Sequence, residues 1–69
     1  MVFNRYPELR EVVVNCKTDT VFKGVLYKHT RNYIVLKNAQ LLRTKSAPVE
    51  VDGEVMIDAQ NIDFIQVVR

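Results

Sequence analysis

The sequence predicts a mainly β fold: a small, strongly bent antiparallel barrel of the SH3-like or OB-like kind. Three observations support this prediction. From Val12 onward, apolar residues recur at a spacing of two, as they do in strands that bury one face. Turn-forming residues recur about every eight to twelve positions, which is the spacing of short barrel strands. A lone glycine, Gly24, lies at an inward strand position and indicates a sharp bend or a close backbone approach.

The chain is predicted to be a single domain, residues 1–69, with one short helix followed by five strands. Pro7 suits the first turn of a helix, because an N–H group at that position has no partner within the helix. A helix is therefore expected over about residues 6–10, with Leu9 directed inward. The strands are expected at about residues 12–17, 21–28, 33–42, 54–59 and 62–68.

Two connections between these strands have recognisable turn chemistry. Thr18–Thr20 is predicted to be a tight turn in which Asp19 takes the left-handed backbone conformation. The polar stretch 43–52, which contains Pro48, is predicted to be a long irregular loop or the tip of a hairpin. Inward side chains are expected at alternate residues of three strands: Val12, Val14 and Cys16, then Phe22, Gly24 and Leu26, then Val55 and Ile57.

The size of the chain limits what it can bury. A domain of 69 residues buries only about 60% of the surface of its unfolded chain, so its stability is marginal. Cys16 is the one cysteine, which excludes an internal disulfide, and its phase with Val12 and Val14 indicates a small buried hydrophobe. One cysteine and one histidine do not make a zinc site, and no cofactor is predicted. The sequence thus favours sharing apolar surface with other copies of the chain.

The net charge of +2 is too small to indicate a nucleic-acid binder by itself, but the charges are unevenly distributed. Residues 1–45 hold nine Lys and Arg against three acidic residues, a balance of +6. Residues 46–69 hold one Arg against five acidic residues, a balance of −4. If the two halves provided opposite edges of the sheet, these charges would favour head-to-tail association.

Targeting signals are not evident in the sequence. No stretch approaches the roughly 18 consecutive apolar residues of a membrane-spanning helix. The opening residues, MVFNRYPELR, lack the charged and apolar segments of a signal peptide. We therefore expect a cytoplasmic protein with no membrane partner.

The turn after the second predicted strand contains planar, cationic and amide side chains together. His29, Arg31 or Tyr33 offers a plane on which a nucleobase can stack. Asn32 can hydrogen-bond to a base edge, and Lys28 can contact a phosphate. The alternative is a solvated hairpin tip whose tyrosines pack against neighbouring strands.

The spacing of these features resembles that of the Sm and Sm-like family of ring-forming RNA-binding proteins. The first motif of that family has apolar residues at four positions and then Gly-x-Leu, which Gly24–Leu26 matches. The second motif is echoed by residues 57–62, IDAQNI, with Ile65 after them. The resemblance covers residues 5–67 and implies an Sm-like fold, in which a short N-terminal helix precedes a five-stranded, strongly bent SH3-like barrel. The four apolar positions are filled here by Val12, Val14, Cys16 and Phe22.

The resemblance also implies a function. Members of the family assemble into rings and bind single-stranded RNA at turns near the pore, without catalysis. For this chain the resemblance implies a homo-oligomeric ring of about five to seven subunits that binds RNA, or DNA, in RNA processing or as an RNA chaperone. The candidate nucleic-acid-binding residues are Lys28, His29, Arg31, Asn32, Tyr33, Gln60 and Asn61.

Two departures from the family pattern leave an alternative open. The turn after the second strand lacks the family's aspartate, and the Arg-Gly of the second motif is replaced by Asp58-Ala59. A carboxylate repels phosphate where an arginine attracts it. The alternative is a structural or adaptor ring that has lost the family's uridine pocket. An enzyme is not predicted, because Asp58 and Asp63 lie in no catalytic pattern and are interpreted as turn and surface or interface residues.

Overall fold

A computed structural model describes residues 6–69 of the chain. All strand pairs within it are antiparallel, which confirms the mainly β prediction. The five predicted strands correspond to β1, β2, β3, β5 and β6, and their ends differ from the prediction by one residue at most. The elements are β1 (Glu11–Cys16), β2 (Val21–His29), β3 (Tyr33–Leu42), β4 (Val49–Glu50), β5 (Val55–Asp58), a 3-10 turn (Ala59–Asn61) and β6 (Ile62–Val67).

The strands form one sheet with the order β4-β3-β2-β1-β6, and β5 also pairs with β3. One edge of β3 pairs with β2, and its other edge is long enough to pair with two strands. Its first residues, Tyr33–Leu36, pair with β5, whereas Gln40 and Leu41 pair with β4. β5 and β6 do not pair with each other, so the sheet is not closed.

The core lies against one face of this sheet. Val12, Val14 and Leu26 are completely buried, and Ile57 is almost so, which confirms the predicted inward positions of three strands. Cys16 is 6% exposed, and burial raises the pKa of its thiol, as expected of a side chain that acts as a small hydrophobe. β3 completes the core with Ile34, Leu36 and Ala39.

Gly24 marks a close approach between the backbones of β2 and β3. A Cβ atom at this position would lie 3.0 Å from the carbonyl oxygen of Lys37 and 3.1 Å from the Cα of Ala39. The pairing register of the two strands shifts between Lys23 and Val25, which interrupts the ladder and bends the strand. The close backbone approach predicted for the lone glycine is therefore confirmed.

Replacing Gly24 with alanine is expected to lower the free energy of unfolding by about 1–3 kcal/mol, because backbone atoms of β3 must move to admit the methyl group. Urea unfolding followed by far-ultraviolet circular dichroism measures this loss. An unfolding midpoint equal to that of the wild type would mean that the two strands have room to separate.

The helix predicted over residues 6–10 is wrong, because this segment forms a turn and then joins the sheet. Leu9 has a φ of 64°, a left-handed conformation that a right-handed helix does not contain. Its N–H donates to the carbonyl of Leu26 at 2.6 Å, and the N–H of Leu26 donates to the carbonyl of Arg10 at 3.0 Å. A single helical turn gains few hydrogen bonds of its own, so pairing with β2 prevails. Leu9 is consequently 72% exposed rather than directed inward.

Both turn predictions for the connections between strands are borne out. Asp19 has a φ of 67°, so the predicted left-handed turn is confirmed. Residues 43–52, predicted as a long irregular loop or the tip of a hairpin, form the tip of a hairpin in which the short strand β4 pairs with β3. The outer strands of the sheet, β4, β5 and β6, all belong to the acidic half of the chain, because the basic half forms the centre. The condition for oppositely charged edges, one edge from each half of the chain, is therefore not met.

Candidate functional site

One threonine shapes the turn between β2 and β3. The Oγ1 of Thr30 accepts hydrogen bonds from the backbone N–H groups of Asn32 at 3.0 Å and Tyr33 at 3.1 Å. The N–H of Thr30 donates to the carbonyl of Tyr33 at 2.8 Å. Bonds of this kind allow a threonine to stabilise a turn locally. Arg31 and Asn32 are held by this turn with their side chains exposed.

Asp58, the last residue of β5, shapes the second segment of the site. Its Oδ1 accepts a hydrogen bond from the N–H of Gln60 at 2.8 Å and so caps the 3-10 turn. The N–H of Ala59 donates to the carbonyl of Asn32 at 2.9 Å. This bond joins the 3-10 turn to the turn between β2 and β3, although the two segments are far apart in sequence.

The two turns border an open cavity of about 410 Å³, which we name the Arg31–Gln60 cavity. A guanidinium, a carboxylate and two amides therefore face a common space, and together they supply both hydrogen-bond donors and acceptors. The volume falls within the range of roughly 300–1,000 Å³ that is usual for small-ligand sites. The lining residues are Arg31, Asn32, Asp58, Ala59 and Gln60.

A second cavity, of about 440 Å³, is lined by Tyr6, His29, Thr30 and Arg31, and we name it the Tyr6–His29 cavity. The centroids of the Tyr6 and His29 rings are 4.6 Å apart. The Nδ1 of His29 is hydrogen-bonded to the Oε2 of Glu8, and because an ionised carboxylate only accepts, the ring nitrogen donates. The segment before β1 therefore already contacts the imidazole ring and engages one of its nitrogens.

The structure brings four of the predicted site residues to these two cavities. Arg31 lines both of them. Asn32 and Gln60 line the Arg31–Gln60 cavity, and His29 lines the other. The predicted site residues that line neither cavity are Lys28, Tyr33 and Asn61.

These three residues have other surroundings. The Nδ2 of Asn61 donates to the Oγ1 of Thr18 at 3.2 Å, which fastens the 3-10 turn to the turn between β1 and β2. Tyr33 begins β3, pairs with Asp58 and is partly buried. Lys28 is exposed on β2. Asn61 and Tyr33 therefore support the two turns, whereas the ammonium group of Lys28 faces solvent.

The sequence prediction did not include Tyr6, Glu8 or Thr30 in the site. Tyr6 and Glu8 reach it because the segment before β1 folds along the end of β2, and no local pattern indicates that course. The role of Thr30 could have been predicted from the sequence. A threonine at the start of a polar turn is typical of a hydroxyl that accepts backbone N–H groups two and three residues later.

Replacing Asp58 with alanine is expected to lower the free energy of unfolding by about 0.5–1 kcal/mol, because the N–H of Gln60 loses its acceptor. Asp58→Asn is the matched control, since an amide oxygen can still accept that bond. Thermal unfolding of both variants measures the difference. Equal midpoints for the alanine and asparagine variants would contradict the capping role.

Two further features are absent from the residues that the structure describes. In that part of the chain, no helix combines the length and the apolar character needed to cross a membrane. No group of three or more His, Cys, Asp or Glu side chains between residues 6 and 69 is placed to hold a metal ion. The Arg31–Gln60 and Tyr6–His29 cavities contain four of the predicted site residues, and the functional argument is built on them.

Comparison with known proteins bears on the fold. No protein family and no curated protein matches the sequence. Among solved structures, this chain is similar to a chain in the crystal structure of the NatC complex bound to CoA, with a TM-score of 0.77 and 15% sequence identity. The similarity covers 100% of this chain and 91% of the other. At this identity, the likeness indicates a shared fold and nothing about function.

Proposed function

We propose that this chain forms a homo-oligomeric ring with an Sm-like barrel fold and binds single-stranded nucleic acid, namely RNA. It acts without catalysis in the cytoplasm, in RNA processing or as an RNA chaperone. The observation that carries this proposal is the Arg31–Gln60 cavity, where the two segments that resemble the RNA-binding motifs of Sm-like proteins meet.

The side chains of the cavity suit an unstacked nucleobase. The guanidinium of Arg31 offers a plane for stacking, which is worth about 1–3 kcal/mol per base. The amides of Asn32 and Gln60 each carry donors and an acceptor for a base edge. Lys28 is exposed on the adjoining strand and adds a positive charge for phosphate.

Ring assembly is supported by the open edges of the sheet. Within residues 6–69, β5 pairs with β3 alone and β6 pairs with β1 alone. Met56 on β5 is 66% exposed, and Phe64 on β6 is 52% exposed. Pairing β5 of one subunit with β6 of the next would satisfy both edges and cover apolar surface that a small domain cannot bury alone. A head-to-tail contact of this kind closes into a ring when its rotation allows.

A non-catalytic role agrees with the surroundings of His29. Its hydrogen bond to Glu8 resembles the pairing of a catalytic base with an orienting carboxylate. However, no hydrogen bond joins His29 to a Ser, Cys or Lys side chain among residues 6–69. The proposal therefore assigns no hydrolytic role to this pair.

A structural or adaptor ring is the second candidate, and Asp58 favours it. This carboxylate lines the cavity and would repel a phosphate placed close to it. The chain of similar fold belongs to a complex, the NatC complex, so the architecture is compatible with the role of a subunit. In this case Met56 and Phe64 would contact protein, and the cavities would bind no nucleic acid.

Two measurements on the purified protein test these candidates. Light scattering at micromolar concentration is expected to give the mass of about five to seven subunits. Titration with oligo-U, oligo-A and single-stranded DNA is expected to show binding that weakens as salt rises, because phosphate contacts release counterions. A ring that binds none of these at low salt would favour the adaptor, and a monomer would contradict both candidates.

A further inference from the structure

We propose that the Arg31–Gln60 cavity prefers guanine, and that Asp58 is the residue that reads it. The inference rests on the proposed binding of single-stranded nucleic acid and adds a base preference to it. It also departs from the uridine preference that the resemblance to Sm-like proteins implies. The carboxylate of Asp58 and the two carbonyl groups of uracil are all hydrogen-bond acceptors, so they repel each other.

The carboxylate of Asp58 is held in a fixed position. Its Oδ1 is held by the N–H of Gln60 at 2.8 Å. No ion pair involves Asp58 among residues 6–69, so its charge is not neutralised there by a Lys or Arg side chain. A carboxylate has about four acceptor positions on its two oxygens, and the capping bond uses one of them. The carboxylate of Asp58 is therefore oriented in the cavity and has acceptor positions that the capping bond does not use.

The four Watson–Crick edges differ in their donors and acceptors. Guanine presents two adjacent donors, N1–H and N2–H, which match the two oxygens of a carboxylate. Cytosine and adenine each present an amino donor beside a ring-nitrogen acceptor, and that acceptor would face the carboxylate lone pairs. Uracil presents a single N3–H between two carbonyl acceptors. Among these bases, guanine makes the most bonds to Asp58 and suffers the least repulsion.

The rest of the lining also suits guanine. Guanine also carries the acceptors O6 and N7, which arginine commonly contacts in protein complexes with nucleic acids. Arg31, Asn32 and Gln60 supply donors to the same cavity. The carboxylate can accept from N1–H and N2–H of guanine, and the amides can donate to its O6 and N7 while the guanidinium stacks on the ring. The carboxylate of Asp58 repels phosphate, but it can accept hydrogen bonds from guanine.

The test uses an unstructured RNA of adenosines with a guanosine at every fourth position, compared with the same RNA carrying inosine at those positions. Inosine lacks only the N2 amino group. The wild-type protein is expected to bind the guanosine RNA at least about tenfold more tightly, as one hydrogen bond to a charged group provides. The matched RNA with uridine at those positions is expected to bind more weakly than the guanosine RNA as well.

Two variants test whether Asp58 is responsible for the preference for guanine. Asp58→Asn retains an acceptor for the N–H of Gln60 but presents an amide, so it is expected to bind the guanosine and inosine RNAs equally. Asp52→Asn removes an exposed carboxylate that lies outside β5 and β6 and does not line the cavity, and it is expected to retain the preference. Circular dichroism checks that both variants are folded.

The outcomes separate the two proposals. Equal binding of all the RNAs by the wild type, or a preference for uridine, would overturn the guanine proposal and leave the proposed function standing. A guanine preference that survives in Asp58→Asn would overturn the assignment to Asp58. Binding of none of the RNAs at low salt would overturn the proposed function, and the guanine proposal with it.

Discussion

Replacing Leu26 with alanine is expected to lower the free energy of unfolding by about 2–5 kcal/mol. Leu26 is completely buried, and its backbone N–H and carbonyl both bond to the segment before β1. A domain of this length has a total stability of roughly 3–10 kcal/mol, so the variant loses a large fraction of it. Urea unfolding at 25 °C, or the thermal midpoint when the variant is partly unfolded there, measures the loss.

Leu9→Ala is the matched control for Leu26→Ala. The same atoms are removed, but the Leu9 side chain is 72% exposed. Its replacement is expected to change the free energy of unfolding by no more than about 0.5 kcal/mol, as is usual at the surface. Equal unfolding midpoints for the two variants would contradict the arrangement of the core around β2.

Replacing Met56 with proline is expected to dissociate the proposed ring without unfolding the subunit. In an antiparallel ladder, hydrogen-bonded pairs alternate with non-bonded pairs. Because Ala59 N–H bonds to the carbonyl of Asn32, the alternation directs the N–H of Met56 toward the open edge of β5. Proline removes that donor and is tolerated on edge strands when the lost N–H faces outward. Light scattering is expected to show a shift from oligomer to monomer.

Met56→Thr controls for the loss of the methionine side chain, because threonine keeps the N–H and favours strands. It is expected to remain oligomeric to a larger extent than the proline variant at the same concentration. Circular dichroism would show whether both variants keep their strands. A folded proline variant with the mass of the wild-type oligomer would show that β5 is not the edge at which subunits pair.

The central strands could be predicted from the sequence because their inward positions are apolar at a spacing of two, as at Val12, Val14 and Leu26. Gly24 could be interpreted because a missing side chain in a strand has a local meaning. The first segment could not be predicted. Pro7 satisfies the rule for a helix start, but the outcome depends on hydrogen bonds to Leu26, a partner distant in sequence.

The candidate site was predictable to the extent that it lies within one turn. Arg31 and Asn32 are neighbours, and their side-chain types alone indicate a surface for a base. Gln60 could be associated with them only through a family resemblance, because the bond that joins their segments runs from Ala59 to Asn32 across the sheet. Asp58 was expected to be unfavourable for a nucleic acid, and its capping bond explains in structural terms why a carboxylate suits that position.

The central claim is that single-stranded RNA binds at the Arg31–Gln60 cavity, and an equilibrium titration of labelled RNA with the Arg31→Glu variant tests it most directly. Arg43→Glu, at an exposed position that lines neither named cavity, is the control with the same change of charge. We predict that Arg31→Glu loses about tenfold or more in affinity at low salt, in line with the removal of one stacked base. We also predict that Lys28→Glu, at the residue proposed to contact phosphate, makes the salt dependence shallower by about 0.7 in the logarithmic slope for each phosphate that is no longer neutralised. Equal affinities for Arg31→Glu and Arg43→Glu, or no binding of RNA by the wild type at low salt, would contradict the claim.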